Sequence, residues 1–333
     1  MKKISWLLPV FLVLCLCGCG KTSGQEGLGG EGAPAQSVDT VPDEQPQGPL
    51  TMKELRVEFP RDGAEASVLM AAVRELPEVL QKALENENVL VEEVSVTMGA
   101  SAAATALAVE EGGVDVAFLP VEKLVQAEAG AEVLLLAGMM EQDLGDDPAA
   151  WNKEAAPGVK TPGQRMLLCV APTAYGVNLS GREEPTWEEL DHARWGVLGS
   201  ESLLGYRAVE LWLADHYKGN GLVDLTHVTI YPSWEELFRA TEKGEVDVLP
   251  AMSAHLREEN GLHVMGVTER LFTMAAIAGE KEELSDLRFA QAMEEAVKTL
   301  QAEYSALLGK EPYAAGSGKL LDPQRRIAVL TGE

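Results

Sequence analysis

Cysteine is scarce in this chain, and most of it is crowded at one end. Of four cysteines in 333 residues, Cys15, Cys17 and Cys19 fall within the first nineteen positions and only Cys169 lies beyond them. A single cysteine in the body of the chain excludes an intrachain disulfide framework. Cys169 sits in the apolar run Met166-Leu167-Leu168-Cys169-Val170, which predicts a buried structural thiol and not a nucleophile. Basic residues are also few. Lys and Arg number 27 against 53 Asp and Glu, for a net charge of -26. Phosphate backbones are bound by clustered cations, so nucleic acid is excluded as a partner. Acidity of this degree is expected to keep the protein soluble and monomeric.

Catalytic signatures are missing as well. The chain has no P-loop, no dinucleotide glycine fingerprint, no nucleophile elbow and no metalloprotease helix. Its five histidines, His192, His216, His227, His255 and His263, show no metal-ligand spacing. The chain is therefore not expected to be an enzyme, and neither a cofactor nor a metal is implied.

What is present begins with the N-terminus. Lys2 and Lys3 precede an apolar stretch from Ile4 to Cys17, interrupted only by Ser5 and Pro9. It is shorter than the ~20 residues a membrane-spanning helix needs, and it reads as a secretory signal over residues 1–18. The stretch ends in Leu16-Cys17-Gly18-Cys19, which resembles the bacterial lipobox. That likeness makes Cys19 the residue that receives diacylglycerol, the small Gly18 preceding it. Cys17 fits less well, because Leu16 is not small. Residues 19–52 are rich in Gly, Pro, Gln and acids and poor in large apolar side chains, a composition expected to form a disordered tether.

Past the tether the chain alternates strand and helix. Leu55 to Phe59 alternates as a strand and stops at Pro60. Ala64 to Leu84 has helical spacing, with Pro77 as an expected kink or break. Val89 to Val96 and Val114 to Leu119 are further strands, with Ser101 as the cap of a helix between them. The second half repeats the pattern with strands at 195–198, 228–230 and 246–249 and helices at 203–217 and after Ser233, where Ser233 and Glu236 have capping-box spacing. Glu111-Gly112-Gly113-Val114-Asp115-Val116 and Lys243-Gly244-Glu245-Val246-Asp247-Val248 match one another in these two halves. Two similar α/β units with parallel sheets are the simplest reading. Arg165 to Ala171 is expected to carry the chain into the second unit and Val264 to Ala278 to carry it back. The implied fold is α/β, two Rossmann-like lobes joined by a two-strand hinge: lobe 1 from residues 53–165 plus 264–333, lobe 2 from 166–263. Glu282 to Leu308 reads as a long amphipathic helix packed on the core.

In wound sheets, ligands meet helix N-termini beyond the carboxyl ends of the strands. The loops at Pro60, Thr97, Gly199 and Tyr231 occupy such positions. They carry Ser101, Ser200, Ser202 and Ser233, each of which also suits a plain helix cap.

Four segments, Glu111–Pro120, Arg165–Val170, Trp187–Tyr206 and Ser233–Val248, together resemble the phosphate/phosphite/phosphonate-type solute-binding proteins of ABC importers, over roughly residues 53 to 305. The resemblance implies a type II periplasmic-binding-protein fold, a small-molecule ligand of phosphonate- or phosphate-like oxyanion character in a cleft between lobes, and an ABC permease in the membrane as partner. Carried over residue by residue, it points to Ser202, Gly205 and Tyr206, with Ser101, Ser200, Ser233 and Glu235 beside them. The family's Ser-Thr-Ser run is here Ser202-Leu203-Leu204, and its His-Asp is Trp234-Glu235, so this chain offers an anion fewer hydroxyls. The function so implied is an extracytoplasmic solute-binding lipoprotein anchored to the cell membrane by its N-terminal lipid. The alternative is a ligand-sensing or degenerate, non-transport surface lipoprotein.

Overall fold

The structure, a computed structural model, describes residues 48–61, 66–127, 130–153, 158–182 and 184–332. The expected signal segment, Cys19 and the tether up to residue 47 lie outside the described residues. The remainder of the expected tether is not a tether. Strand β1 (Leu50–Pro60) starts inside it, with Leu50, Thr51 and Met52 paired to Val89, Leu90 and Val91 and Met52 buried.

From β1 the chain runs through α1 (Ala66–Asn86), β2 (Val89–Gly99), α2 (Ala102–Glu110), β3 (Val116–Pro120), α3 (Val121–Gln126) and β4 (Glu132–Ala137). Helix α1 continues past Pro77. The missing N–H costs one helical bond, and burial of Leu76 and Leu80 on either side offsets it. A polar excursion comes next, with the two-residue strands β5 (Glu141–Gln142) and β6 (Lys160–Thr161) paired to each other and α4 (Pro148–Trp151) between them.

The chain then enters a second sheet through β7 (Leu167–Val170). It continues through α5 (Ala174–Ser180), α6 (Trp187–Asp191), β8 (Trp195–Val197), one wide turn at Leu203–Arg207, α7 (Ala208–His216), β9 (Val228–Ile230), α8 (Trp234–Glu242), β10 (Val248–Ala251) and β11 (His263–Val267). It returns to the first sheet with β12 (Met274–Ala278), α9 (Leu287–Leu300), α10 (Ser305–Leu308), β13 (Tyr313–Ala315) and α11 (Asp322–Thr331). The expected helix over 282–308 is thus shorter. Asp286 caps α9 by accepting from Arg288 N and alone separates it from a 3₁₀ turn at Glu282–Ser285, and a turn over residues 301–303 separates α9 from α10.

The two sheets share one plan. The first has the order β13-β4-β12-β3-β1-β2, with β1, β2 and β3 parallel and β12 antiparallel to both β3 and β4. The second has the order β11-β7-β10-β8-β9, with β8, β9 and β10 parallel and β7 antiparallel to both β10 and β11. In each, the first of the three parallel strands, β1 or β8, lies between the other two, and one antiparallel strand, β12 or β7, separates the third from a further strand, β4 or β11. Each sheet is covered on both faces. In the second, Leu168 and Val170 point into one apolar cluster with Trp195, while Leu167 and Cys169 point into the other with Leu237, the period-two alternation of a buried strand. Burial pushes the Cys169 thiol pKa upward, away from reactivity.

The chain crosses between sheets twice, before β7 and after β11. At the crossing, Gln164 and Leu271 form an antiparallel bridge through both backbone hydrogen bonds, at 2.9 and 2.8 Å. The apolar pattern places the return from residue 264. Instead Val264 pairs with Cys169 and stays in the second sheet, and the chain leaves it after Val267. An apolar, β-prone run fits either sheet, and register alone decides which.

Candidate functional site: the cleft between the lobes

The carboxyl ends of β1, β2 and β3 face the crossing, because Pro120 at the end of β3 pairs with Met274, the first residue of β12. In the second sheet, Ala251 at the end of β10 pairs with Leu167, the first residue of β7. Both sets of helix N-termini therefore open toward the same gap. This results from the parallel strand order, which sends every βα loop to one end of its sheet.

Three of the expected serines cap helices there. Ser101 Oγ accepts from Ala104 N at 3.2 Å, Ser202 Oγ from Gly205 N at 3.0 Å and Ser233 Oγ from Glu236 N at 3.2 Å. A capping hydroxyl spends a lone pair and keeps its proton for donation. Ser200 is exposed on the preceding turn, and its carbonyl accepts from Arg207 Nε at 2.8 Å. Gly205 is buried, and a Cβ there would meet the Leu198 side chain at 2.6 Å. Tyr206 is half-buried against the second lobe's core, and it hydrogen-bonds Glu210. Burial, followed by the charge of Glu210, raises its pKa. Glu235 points outward, its side chain 80% exposed, and pairs with Arg239 at 2.6 Å. The structure thus makes Ser101, Ser202 and Ser233 helix caps, and gives Tyr206 and Glu235 partners of their own on the second lobe.

Between the lobes lies a cavity of ≈ 260 Å³. Pro120 and Glu122 wall it from the first lobe, Glu201, Leu203 and Arg207 from the second, and Gln324 and Ile327 from α11. Arg207 is mostly buried and reaches across to Glu122, Nη1 to Oε1 at 3.6 Å. Glu122, Arg207 and α11 are not among the sequence candidates. Arg207 directly follows the Gly205-Tyr206 motif, and Asp322-Pro323 at the start of α11 with Gly332 at its end is a readable helix signature.

The matched aspartates lie elsewhere. Asp115 and Asp247 are buried near the opposite ends of the sheets, where β3 and β10 begin. Asp115 Oδ2 accepts from Arg56 N and Nε at 2.8 and 3.2 Å, and Oδ1 accepts from Arg56 Nη2 at 2.7 Å. Asp247 repeats this with Arg194, at 3.0, 2.8 and 2.7 Å. Burial alone would raise both carboxyl pKa values, and the bidentate arginines outweigh it and hold them below the usual range. These residues tie strand to strand and do not face the gap.

No protein-family model matches the chain, and no curated protein sequence matches it significantly. Solved structures do. Transferrin 1 from Manduca sexta superposes with a TM-score of 0.50 at 13% identity, over 84% of this chain and 47% of that one. The fold is that of the type II periplasmic binding proteins. Mh-p37 of Mycoplasma hyorhinis superposes with a TM-score of 0.48 at 11% identity, over 86% of this chain and 99% of its own. A phosphonate-binding protein, PhnD1 from Prochlorococcus marinus solved with methylphosphonate, gives 0.36 at 14% identity over 84% of this chain and 98% of its own. Among the described residues of this binding-protein fold, no helix is long and apolar enough to cross a membrane.

Proposed function

We propose that the chain is an extracytoplasmic solute-binding lipoprotein of an ABC importer, taking a small molecule between its lobes and presenting it to a membrane permease. One observation carries this reading: two sheets of the same plan turn the carboxyl ends of their parallel strands toward a two-stranded crossing that can bend. Converging N–H groups and free hydroxyl protons suit a ligand bearing oxygen acceptors. The sequence resemblance adds phosphonate or phosphate as the class to try first. The lipobox likeness adds anchoring through Cys19.

A thermal-shift screen over phosphate, phosphite, alkylphosphonates and amino acids tests the reading. A ligand at 100 times its Kd stabilises the folded chain by about 2.7 kcal/mol. The same ligand should compact the particle in small-angle scattering. Ser202→Ala should weaken the hit while lowering apo stability by no more than about 1 kcal/mol. Cys19→Ser should abolish incorporation of labelled fatty acid.

A second reading, a surface lipoprotein that takes no small ligand, is favoured by the cavity itself. Its ≈ 260 Å³ falls just below the ~300–1,000 Å³ of ordinary ligand pockets. A screen without hits, on a particle whose dimensions never change, would select that reading.

A further inference from the structure

We infer that the C-terminal helix α11 is a strap that ties both lobes to the crossing and sets the angle between them. Three successive turns of the chain grip three different bodies. Leu321, just before α11, is fully buried in the first-lobe cluster with Val121 and Leu124. One turn on, Gln324 is 4% exposed and clamps the crossing: its Oε1 accepts from Phe272 N at 2.9 Å and its Nε2 donates to Phe272 O at 2.8 Å. One turn further, Ile327 is 3% exposed and packs in the second-lobe cluster, and Arg326 pairs with Asp215 on α7. The outer face touches little, with Val329 81% exposed.

A helix is stiff on the scale of a hinge bend. Rotation of one lobe against the other must change backbone dihedrals between Val267 and Met274, the stretch whose Phe272 amide and carbonyl Gln324 holds. It must also either drag Leu321 from the first lobe or withdraw Ile327 from the second. Leu321 is continuous with β13, a strand of the first sheet, so the detachable end is the one bearing Ile327 and Arg326. Gln324 and Ile327 also wall the inter-lobe cavity, which places the strap where an occupant would meet it. The inference rests on the two-lobe architecture alone and holds whether or not a solute binds.

Hydrogen exchange of the full-length chain without any added ligand tests it. In Ile327→Asp, amide exchange at Gln164, Leu271 and Phe272 should accelerate on the order of tenfold or more, as the local opening cost falls. The amides of Val57 and Leu249, inside the two sheets, should keep wild-type protection. The radius of gyration should rise as the lobes part. Arg326→Glu, which sets like charges face to face without touching the core, should give a smaller change of about threefold. Combining Arg326→Asp with Asp215→Arg should restore wild-type exchange. Unchanged crossing exchange in both Ile327→Asp and Arg326→Glu, with the sheet amides still protected, would overturn the inference. If Ile327→Asp exposes the sheet amides too, the Arg326 pair decides: rescue by the swap supports the strap, and no change in Arg326→Glu rejects it.

Discussion

The two lobes repeat a backbone and not a set of side chains. Both follow the same strand order and place a glycine with positive φ after the second helix of the unit, Gly112 at 70° and Gly244 at 73°. In both, the next residue's N–H reaches back to the helix, Gly113 to Ala108 O at 2.8 Å and Glu245 to Ala240 O at 3.0 Å. Both then bury an aspartate in an arginine fork. The third partner differs: Lys281 Nζ lies 2.8 Å from Asp115, whereas Thr173 Oγ1 donates to Asp247 at 2.5 Å. The cores differ too. The first lobe has two strands of 11 residues, β1 and β2, and stacks Phe59 on Phe118, while the second has strands of three to five residues around Trp195 and Trp212. A turn that fixes backbone geometry tolerates little change, whereas a core tolerates any set of apolar side chains that fills it.

The sharpest test of this comparison removes the arginines. Arg194→Ala leaves buried Asp247 with no cation, and should cost about 3 kcal/mol in urea unfolding. Arg56→Ala leaves Asp115 its lysine, and should cost only about half as much. Equal costs would mean that the third partner is irrelevant. Next, Gly205→Ala presses a Cβ onto Leu198 and should cost about 1–3 kcal/mol in the second lobe alone. Gly112→Ala and Gly244→Ala should cost the same as each other, about 1 kcal/mol each, since both positions are open and only the left-handed backbone objects. A clear inequality between them would break the equivalence of the two turns.

The smallest effect is the response to acid. Asp115 and Asp247, one in each lobe, have depressed folded-state pKa values, so each contributes stability that is present above the unfolded carboxylate pKa and lost as pH falls through the folded one. Asp143, between Arg165 and Arg270 beside the crossing, is held at about 2 against 3.8. Its share should therefore disappear between about pH 4 and pH 2. Asp143→Asn should flatten urea midpoints over that window and leave them parallel to wild type above it.

Much of this was legible in the residues. Alternating Val and Leu, bounded by Pro60 and Pro120, located β1 and β3, and the match of Val114-Asp115-Val116 with Val246-Asp247-Val248 announced two like units. Ser101 and Ser233 showed themselves as caps because each stands directly before a run of helix-forming residues. Other elements escaped. β4, β13 and α11 lie in stretches without a strong period, and α11 sets Ile327 inward beside an outward Val329, so its buried side is defined by its neighbours. The aspartates of the matched motif are buried where β3 and β10 begin, and their local sequence does not name the arginines they hold. Nothing local to Glu122 or Arg207 foretells that they meet.

Period, punctuation and charge, which act over a few residues at a time, were enough to determine the α/β class, the duplication and the helix caps. Which sheet Val264 joins, what the buried aspartates hold, and where α11 packs were settled only by the assembled chain, because those contacts join residues tens to hundreds of positions apart and form only once both sheets are in register.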